Sequence, residues 1–462
     1  MNPQPDLLKQ PPPPLPVRAI KLPTAAETIL PNGLTVVVVE DTRLPLVSYR
    51  LALRTGDAHD PADLPGLMDM LTGLLTEGTE SRTSREIADE VARLGATLQA
   101  GANSDYATVA ASSLAVFCDE ILELLADVAL RPIFPPNEVE LAKQNTKESL
   151  KQQRAQPSFL ASEMVARVMF GAHPYHVTAP TPESIDATTR DRLVDFHRAT
   201  FIPNNAVLFV AGDVQQDTVL RQVENLFGSW QPGTVIADDF PPAPERSARV
   251  AYIVDRPGSA QANIVISNSG ITRTSSDYFP MLLMHTVLGA NASSRLFMNL
   301  REDKGYTYGA YSNFASSKYR GTWSSSSEVR TEVTDGAMKE FKYELERLGK
   351  EKVSSDELEN AKRAIIGGFA LSLEQPAALL QNIITQKLYN LPADYWDTYP
   401  QKVSAITADD VQRVAQKYID LKHLQVVAVG DASKTKDILS HYGTVQVYDA
   451  EGKPVGSGSE NR

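Results

Sequence analysis

Residues 206–213 read AVLFVAGD, and residues 424–431, 218 positions later, read LQVVAVGD. Both runs are β-rich and close on Gly-Asp. Upstream at the same offset, SIDATTRDRLVDFHRATF is matched by KVSAITADDVQRVAQKYI, so that Ile185 falls on Val403, Thr189 on Thr407, Leu193 on Val411 and Phe196 on Val414. Each segment sets a threonine at a helix N-cap position ahead of apolar residues at helical spacing. Further back, NEVELAK faces DELENAK and Pro157 faces Pro376, now at an offset of 219. Three blocks in one order at a near-constant offset mark a duplication, so the chain is expected to fold as two copies of one unit.

The seam falls at ADDFPPAPERSA, rich in proline and charge, which reads as an exposed linker over 237–248. The expected organisation is a proline-rich arm (1–25), a first domain (26–236), the linker, a second homologous domain (249–447) and a flexible tail (448–462). Strand-like runs such as LTVVVVED, LVSYRLALRTG, RVAYIVD and QANIVISNSG open the halves. Helical patterns such as SREIADEVARLG, CDEILELLADVALRP and TDGAMKEFKYELERLGK follow them. Hairpin-like strands with segregated helices give α+β halves, each an antiparallel sheet packed against helices.

A net charge of −12 argues against nucleic acid or anionic membrane as the main partner, because both reward clustered Lys and Arg. No apolar run approaches the length of a membrane span. The single cysteine, Cys118, excludes an intrachain disulfide and reads as a buried small hydrophobe. The N-terminus, MNPQPDLLKQPPPPLPV, lacks the basic and apolar regions of a signal peptide and reads as an extended polyproline tether. The compartment is open from sequence, with the periplasm favoured over the cytoplasm because such a leader serves little purpose on a cytosolic domain.

The segment LGANASSRLFMNLREDKGYTYGAYS, from Leu288 to Ser312, resembles the matching segment of the pitrilysin and insulinase-type metallopeptidases, the family that includes the mitochondrial processing peptidase and two-subunit bacterial zinc peptidases. The family form has Ser-Arg-Leu-Phe, then Leu-Arg-Glu, a Gly, and a Tyr seven residues after that Arg; here these are Arg301 and Tyr308. NGLTVVVVED, FIPNNAVLFVAGDV and DRPGSAQANI resemble further family segments. The resemblance spans about residues 26–435 and implies that the two halves form one half of a clam-shell chamber.

It also implies a zinc position. Active members carry H-x-x-E-H on a helix of the first half: two histidines bind zinc, the Glu between them activates water, and a downstream Glu completes the ligands. Aligning PGLMDMLTGLLTEGT (Pro65 to Thr79) puts the first histidine at Asp69, the Glu at Thr72 and the second histidine at Gly73. The Pro157 anchor puts the downstream Glu at Ser149, one residue from Glu148. Gly73 has no side chain, Thr72 is no general base, and one carboxylate falls short of the three ligands of a catalytic zinc. None of the seven histidines is spaced i, i+4 from another; His173 and His176, in GAHPYH, read as loop packing. The metal position is therefore expected to be degenerate, and this chain to hold no zinc. Asp69 is left to face a water-filled cavity, to cap a backbone group, or to persist without function.

In two-subunit members of the family, one subunit carries zinc and the other carries the Arg/Tyr pair. The resemblance thus implies that this chain is the zinc-free subunit, with an H-x-x-E-H partner holding the metal and a peptide or unfolded polypeptide as substrate. Arg301 and Tyr308 would hold a substrate carbonyl and stabilise the oxyanion. From the residues alone, the same stretch also fits a helix ended by Gly305, with Arg301 in a surface ion pair and Tyr308 in the core. Tyr306 competes for any role given to Tyr308. The Ser-rich strand TWSSSSEV (Thr322 to Val329) reads as alternation with its hydroxyls outward. The alternative function is a scaffold subunit of the same fold, with Arg301 and Tyr308 dispensable.

Overall fold

The computed structural model describes residues 22–455. The arm over 1–21 and the tail end over 456–462 lie outside the described residues. The first half builds a six-stranded sheet from β1 (Ala26–Ile29), β2 (Thr35–Glu40), β3 (Leu46–Leu53), β4 (Thr97–Ala102), β5 (Ala107–Leu114) and β6 (Ala206–Gly212), in the order β1-β2-β6-β3-β5-β4. The second half builds another from β7 (Val250–Asp255), β8 (Gln261–Ser269), β9 (Thr307–Phe314), β10 (Thr322–Arg330), β11 (Gln425–Gly430) and β12 (Thr444–Tyr448), in the order β12-β7-β11-β8-β10-β9. The two orders match strand for strand except at one edge. There β1 runs antiparallel to β2, whereas β12 comes last in the chain and runs parallel to β7.

The repeated Gly-Asp runs are β6 and β11. Both sit inside their sheets with every residue buried, which is why they read as unbroken apolar runs. Most pairings are antiparallel, as the hairpin patterns imply, but besides β7 with β12, β2 with β6 and β7 with β11 are parallel. Each of these two strands is reached through a long helical excursion, and such a crossover can return a strand in parallel where a tight turn cannot. Thr189 and Thr407 cap the helices Arg190–Thr200 and Ala408–Tyr418, accepting from the N–H groups of Arg192 and Asp410.

The helices that begin at Pro157 and Pro376 hold the two halves together. Each proline sits in the first turn, where its missing N–H costs nothing. Pro157–Phe170 lays Leu160, Met164 and Val168 on the second sheet, against Tyr252, Val254, Val427 and Val429. Pro376–Leu388 lays Leu379, Leu380, Ile383 and Ile384 on the first sheet, against Val37, Val39, Val207 and Phe209. The halves thus exchange equivalent helices, and each fully buried aliphatic side chain contributes about 1.5–3 kcal/mol to the joint. The opposite face of each sheet packs on its own helices in the two largest cores.

No helix or strand lies between Phe227 and Val250. The linker is mostly exposed, but it is pinned: Asp238 accepts from Lys318 and from His59, and Arg320 pairs with Glu245. The flexible tail is corrected for its first residues. Tyr448 closes β12 and bridges to Pro454, while Arg154 donates to the Ala450 carbonyl at 3.0 Å and Arg167 to that of Gly452 at 2.6 Å. Carbonyls that accept from arginines of the first half hold this turn in place. Cys118 is only half-buried, at the start of the helix Cys118–Leu130, where burial and Asp119 push its thiol up to about 11.

Two further expectations are settled by packing. His173 is buried among Phe170, Tyr175, Phe240 and Tyr319, and its Nδ1 accepts the Tyr175 N–H at 3.1 Å, so GAHPYH packs a loop. The outward serines of TWSSSSEV are corrected. Ser325 and Ser327 lie on the buried side of β10 with Trp323 and Val329, and Ser327 satisfies its hydroxyl by donating to the Gly309 carbonyl. Alternation assigns two faces but does not say which of them carries the core when both hold serine.

Candidate functional site

Asp69, Thr72 and Gly73 lie on the helix Leu67–Leu74. Asp60 caps this helix, accepting from the N–H groups of Gly66, Leu67 and Met68 at 2.7, 3.1 and 2.9 Å. Asp69 therefore does not cap its own helix, and among the described residues its carboxylate accepts no backbone N–H. Asp60 escaped sequence reasoning because a loop separates it from the helix it caps. Ser149 comes from the helix Pro136–Arg154, which crosses nearby, and Asp69, Gly73 and Ser149 line one cavity of about 450 Å³. Thr72 does not line it. It is buried, and its hydroxyl is spent on the Met68 and Asp69 carbonyls one turn back.

The family's zinc does not fit these residues. A Cβ placed on Gly73 meets no atom within 4 Å, so open space stands where a histidine would reach for metal. Ser149 is occupied with Gln153 at 3.3 Å. Among the described residues, no group of three or more His, Cys, Asp or Glu is placed to hold a metal ion. Asp69 is exposed to the cavity, and the protein packed around it partly desolvates its carboxyl and raises the pKa; burial together with Asp69 lifts that of Asp57 to about 7. Because Gly73 lies inside a helix and faces open space, Gly73→Ala is expected to stabilise the chain by about 0.5–1 kcal/mol. Urea unfolding of the two proteins checks this.

The second-half motif starts from an ion pair between a buried arginine and a half-buried glutamate. Arg295, of the Ser-Arg-Leu-Phe run, holds Glu357 through both oxygens at 2.6 and 3.1 Å, and Glu357 also caps the helix Ser355–Ser372 with Ser354. Although burial opposes it, this pairing draws Glu357 down to about 2. Its folded pKa lies below the ordinary carboxylate value. The pair's stability is therefore complete above that value and is lost as pH falls through about 2. Glu357→Gln is expected to lower the melting temperature at neutral pH, with the gap to wild type closing as acid is added. Thermal melts across that range measure it.

Arg301 follows in the short π-type turn Met298–Asp303. Its guanidinium lies 4.7 Å from the centre of the Phe297 ring, and its Nε lies 3.5 Å from Glu302, leaving it half-exposed. Gly305, at φ +61°, ends this turn by donating back to the Arg301 carbonyl at 3.1 Å. The chain then enters β9, the edge strand of its sheet. Gly289, in the family-like run, is fixed by that strand: a Cβ there would stand 2.2 Å from the Ser312 nitrogen. Tyr308 is 89% exposed, so it does not fill the core. Tyr306, its competitor, packs against the core instead, its hydroxyl held near Gly336. Met298, Tyr308 and Tyr311 are all exposed around this corner, and Phe297, packed on Tyr311 and under Arg301, is a support that sequence reasoning passed over.

Comparison with known proteins gives two matching family models: one described as insulinase (peptidase family M16) over residues 35–182, and one described as the peptidase M16 inactive domain over residues 187–365. An uncharacterized zinc protease of Bacillus subtilis is 25% identical over 345 residues, which is 74% of this chain and 83% of that one. One of Streptomyces coelicolor is 24% identical over 401 residues, covering 85% and 87%. A solved structure of a peptidase M16 inactive domain from Pseudomonas fluorescens aligns with a TM-score of 0.83 at 25% identity, covering 88% of this chain and 98% of that one. A protease from Helicobacter pylori aligns at 0.82 with 20% identity, covering 88% and 100%, and so attests the fold.

Proposed function

Because this chain belongs to the M16 (insulinase) peptidase family and carries its inactive-type domain, we propose that it is the zinc-free subunit of a heterodimeric zinc endopeptidase. The observation that carries this reading is Tyr308. A tyrosine 89% exposed, seven residues after a half-exposed arginine, has no side-chain hydrogen bond and no core contact among the described residues. Burying such a phenol in a closed chamber gives it a use.

In this reading the H-x-x-E-H subunit supplies the metal and the general base. Arg301 binds a backbone carbonyl of the substrate through its planar fork, steadied from below by Phe297. Tyr308 donates its hydroxyl proton in a hydrogen bond to the oxyanion as the carbonyl becomes tetrahedral. The substrate is an extended peptide or an unfolded segment. The edge strands β4 and β9 offer it main-chain partners, which bind a peptide with little regard to sequence. The periplasmic placement belongs to this proposal and is supported by the proline-rich leader alone.

Mixing the chain with an H-x-x-E-H relative tests the assembly. The reading expects a one-to-one complex by light scattering coupled to gel filtration. A chain that stays apart from every such relative while remaining folded contradicts it. A scaffold role has no residue of its own in its favour and stands as the alternative outcome.

A further inference from the structure

The cavity at the degenerate metal position carries one carboxylate, Asp69, among neutral residues. Its walls come from the helix Leu67–Leu74, the helix Pro136–Arg154 and the loop carrying Thr178 to Pro180. It holds about 450 Å³, within the range of small-ligand pockets. Gly73 and Ser149 leave this space open, and no Lys, Arg or His lines it. Asp69 is the one charged group on the wall, and among the described residues its carboxylate has no ion pair or hydrogen bond. Around it stand neutral oxygen-bearing side chains, Asn145, Thr146, Ser149 and Gln153, with apolar Met70 and Leu74 beside them. One carboxylate with neutral oxygens and an apolar flank suits an alkylammonium, whose three N–H donors and methylene stem match both surfaces. A divalent ion, which demands several charged oxygens, is poorly served.

We propose that this cavity binds a primary ammonium group of a peptide, either a lysine side chain or a free α-amino group, with Asp69 as the counter-ion. That the ligand is a peptide rests on the proposed function; that it is an ammonium rests on the cavity alone. The position that holds zinc in active relatives would then serve here to anchor substrate.

The test uses the full chain without any partner, so that its failure is separable from failure of the Arg301 and Tyr308 reading. Three octapeptides labelled at the C-terminus are compared by fluorescence anisotropy: N-acetylated with one lysine, N-acetylated with norleucine in its place, and the norleucine peptide with a free N-terminus. At least one ammonium-bearing peptide is expected to bind about tenfold or more tighter than the acetylated norleucine peptide. Which one does so identifies the source of the ammonium. Asp69→Asn is expected to erase the difference, and Gly73→Leu, which grows into open space, to abolish binding by filling the cavity. Equal binding of all three peptides overturns the proposal. So does a preference that survives Asp69→Asn in a protein of unchanged melting temperature, or a cavity that binds magnesium ion while ignoring the ammonium.

Discussion

A heterodimer carrying Tyr308→Phe is expected to turn over peptide about 10²–10³-fold more slowly than wild type, with KM little changed. That is the usual cost of removing one preorganised donor to an oxyanion, about 3–4 kcal/mol. The substitution removes only a hydroxyl from a side chain that is 89% exposed, so the fold has no reason to suffer. Melting curves of the two proteins should coincide. Arg301→Ala is expected to act on binding as well, raising KM and lowering kcat. Arg301→Lys should rescue it poorly, because an ammonium cannot reproduce the planar fork or its stacking on Phe297. Steady-state kinetics on the assembled enzyme separate the two patterns. If Tyr308→Phe slows turnover only through a lower melting temperature, the tyrosine is structural.

The second large effect is on stability. Asp127, fully buried in the helix Cys118–Leu130, accepts from Thr79 at 2.7 Å, Ser81 at 2.9 Å, Arg82 at 2.9 Å and Arg131 at 2.8 Å. These bonds tie down the Gly-Thr turn that follows the degenerate metal helix. Removing one partner of a buried pair costs roughly 3–5 kcal/mol. Arg82 keeps Glu90 and Glu123, and Arg131 is 45% exposed, so Asp127→Ala is placed near the low end, at about 3 kcal/mol. The hydrogen bonds hold the Asp127 carboxyl below its ordinary pKa against the burial that would raise it. Its contribution is therefore full above that ordinary value and is lost in acid. Urea unfolding at neutral pH measures the loss, and a cost below about 1 kcal/mol would show the network to be incidental.

The duplication was legible because it is written in the most constrained elements. β6 and β11 are buried on both faces, and the Thr-capped helices before them keep one apolar side, so neither could drift far in composition. The exchange of the Pro157 and Pro376 helices was not legible: an apolar stripe tells that a helix packs, not on which sheet. The parallel pairs were hidden for a like reason, since strand direction is set by the connection and not by the strand. At the site, the mismatch between these residues and a zinc ligand set could be read from Gly73 and Thr72 alone. That Asp69 faces a cavity was one of the readings left open, but the lining of that cavity was not legible, because it depends on Asn145 and Gln153 of a crossing helix whose polar residues look like any solvated face. Tyr306 and Tyr308, two residues apart, were indistinguishable until one was found against the core and the other in solvent.

The central claim is that this chain completes an active site whose metal belongs to another subunit. The most direct measurement is hydrolysis of a quenched fluorescent peptide by an H-x-x-E-H relative, run alone, with this chain, and with its Arg301→Ala or Tyr308→Phe variant. Activity confined to the wild-type pair is the predicted result. Equal activity with either variant, or hydrolysis by this chain with no partner present, would contradict it.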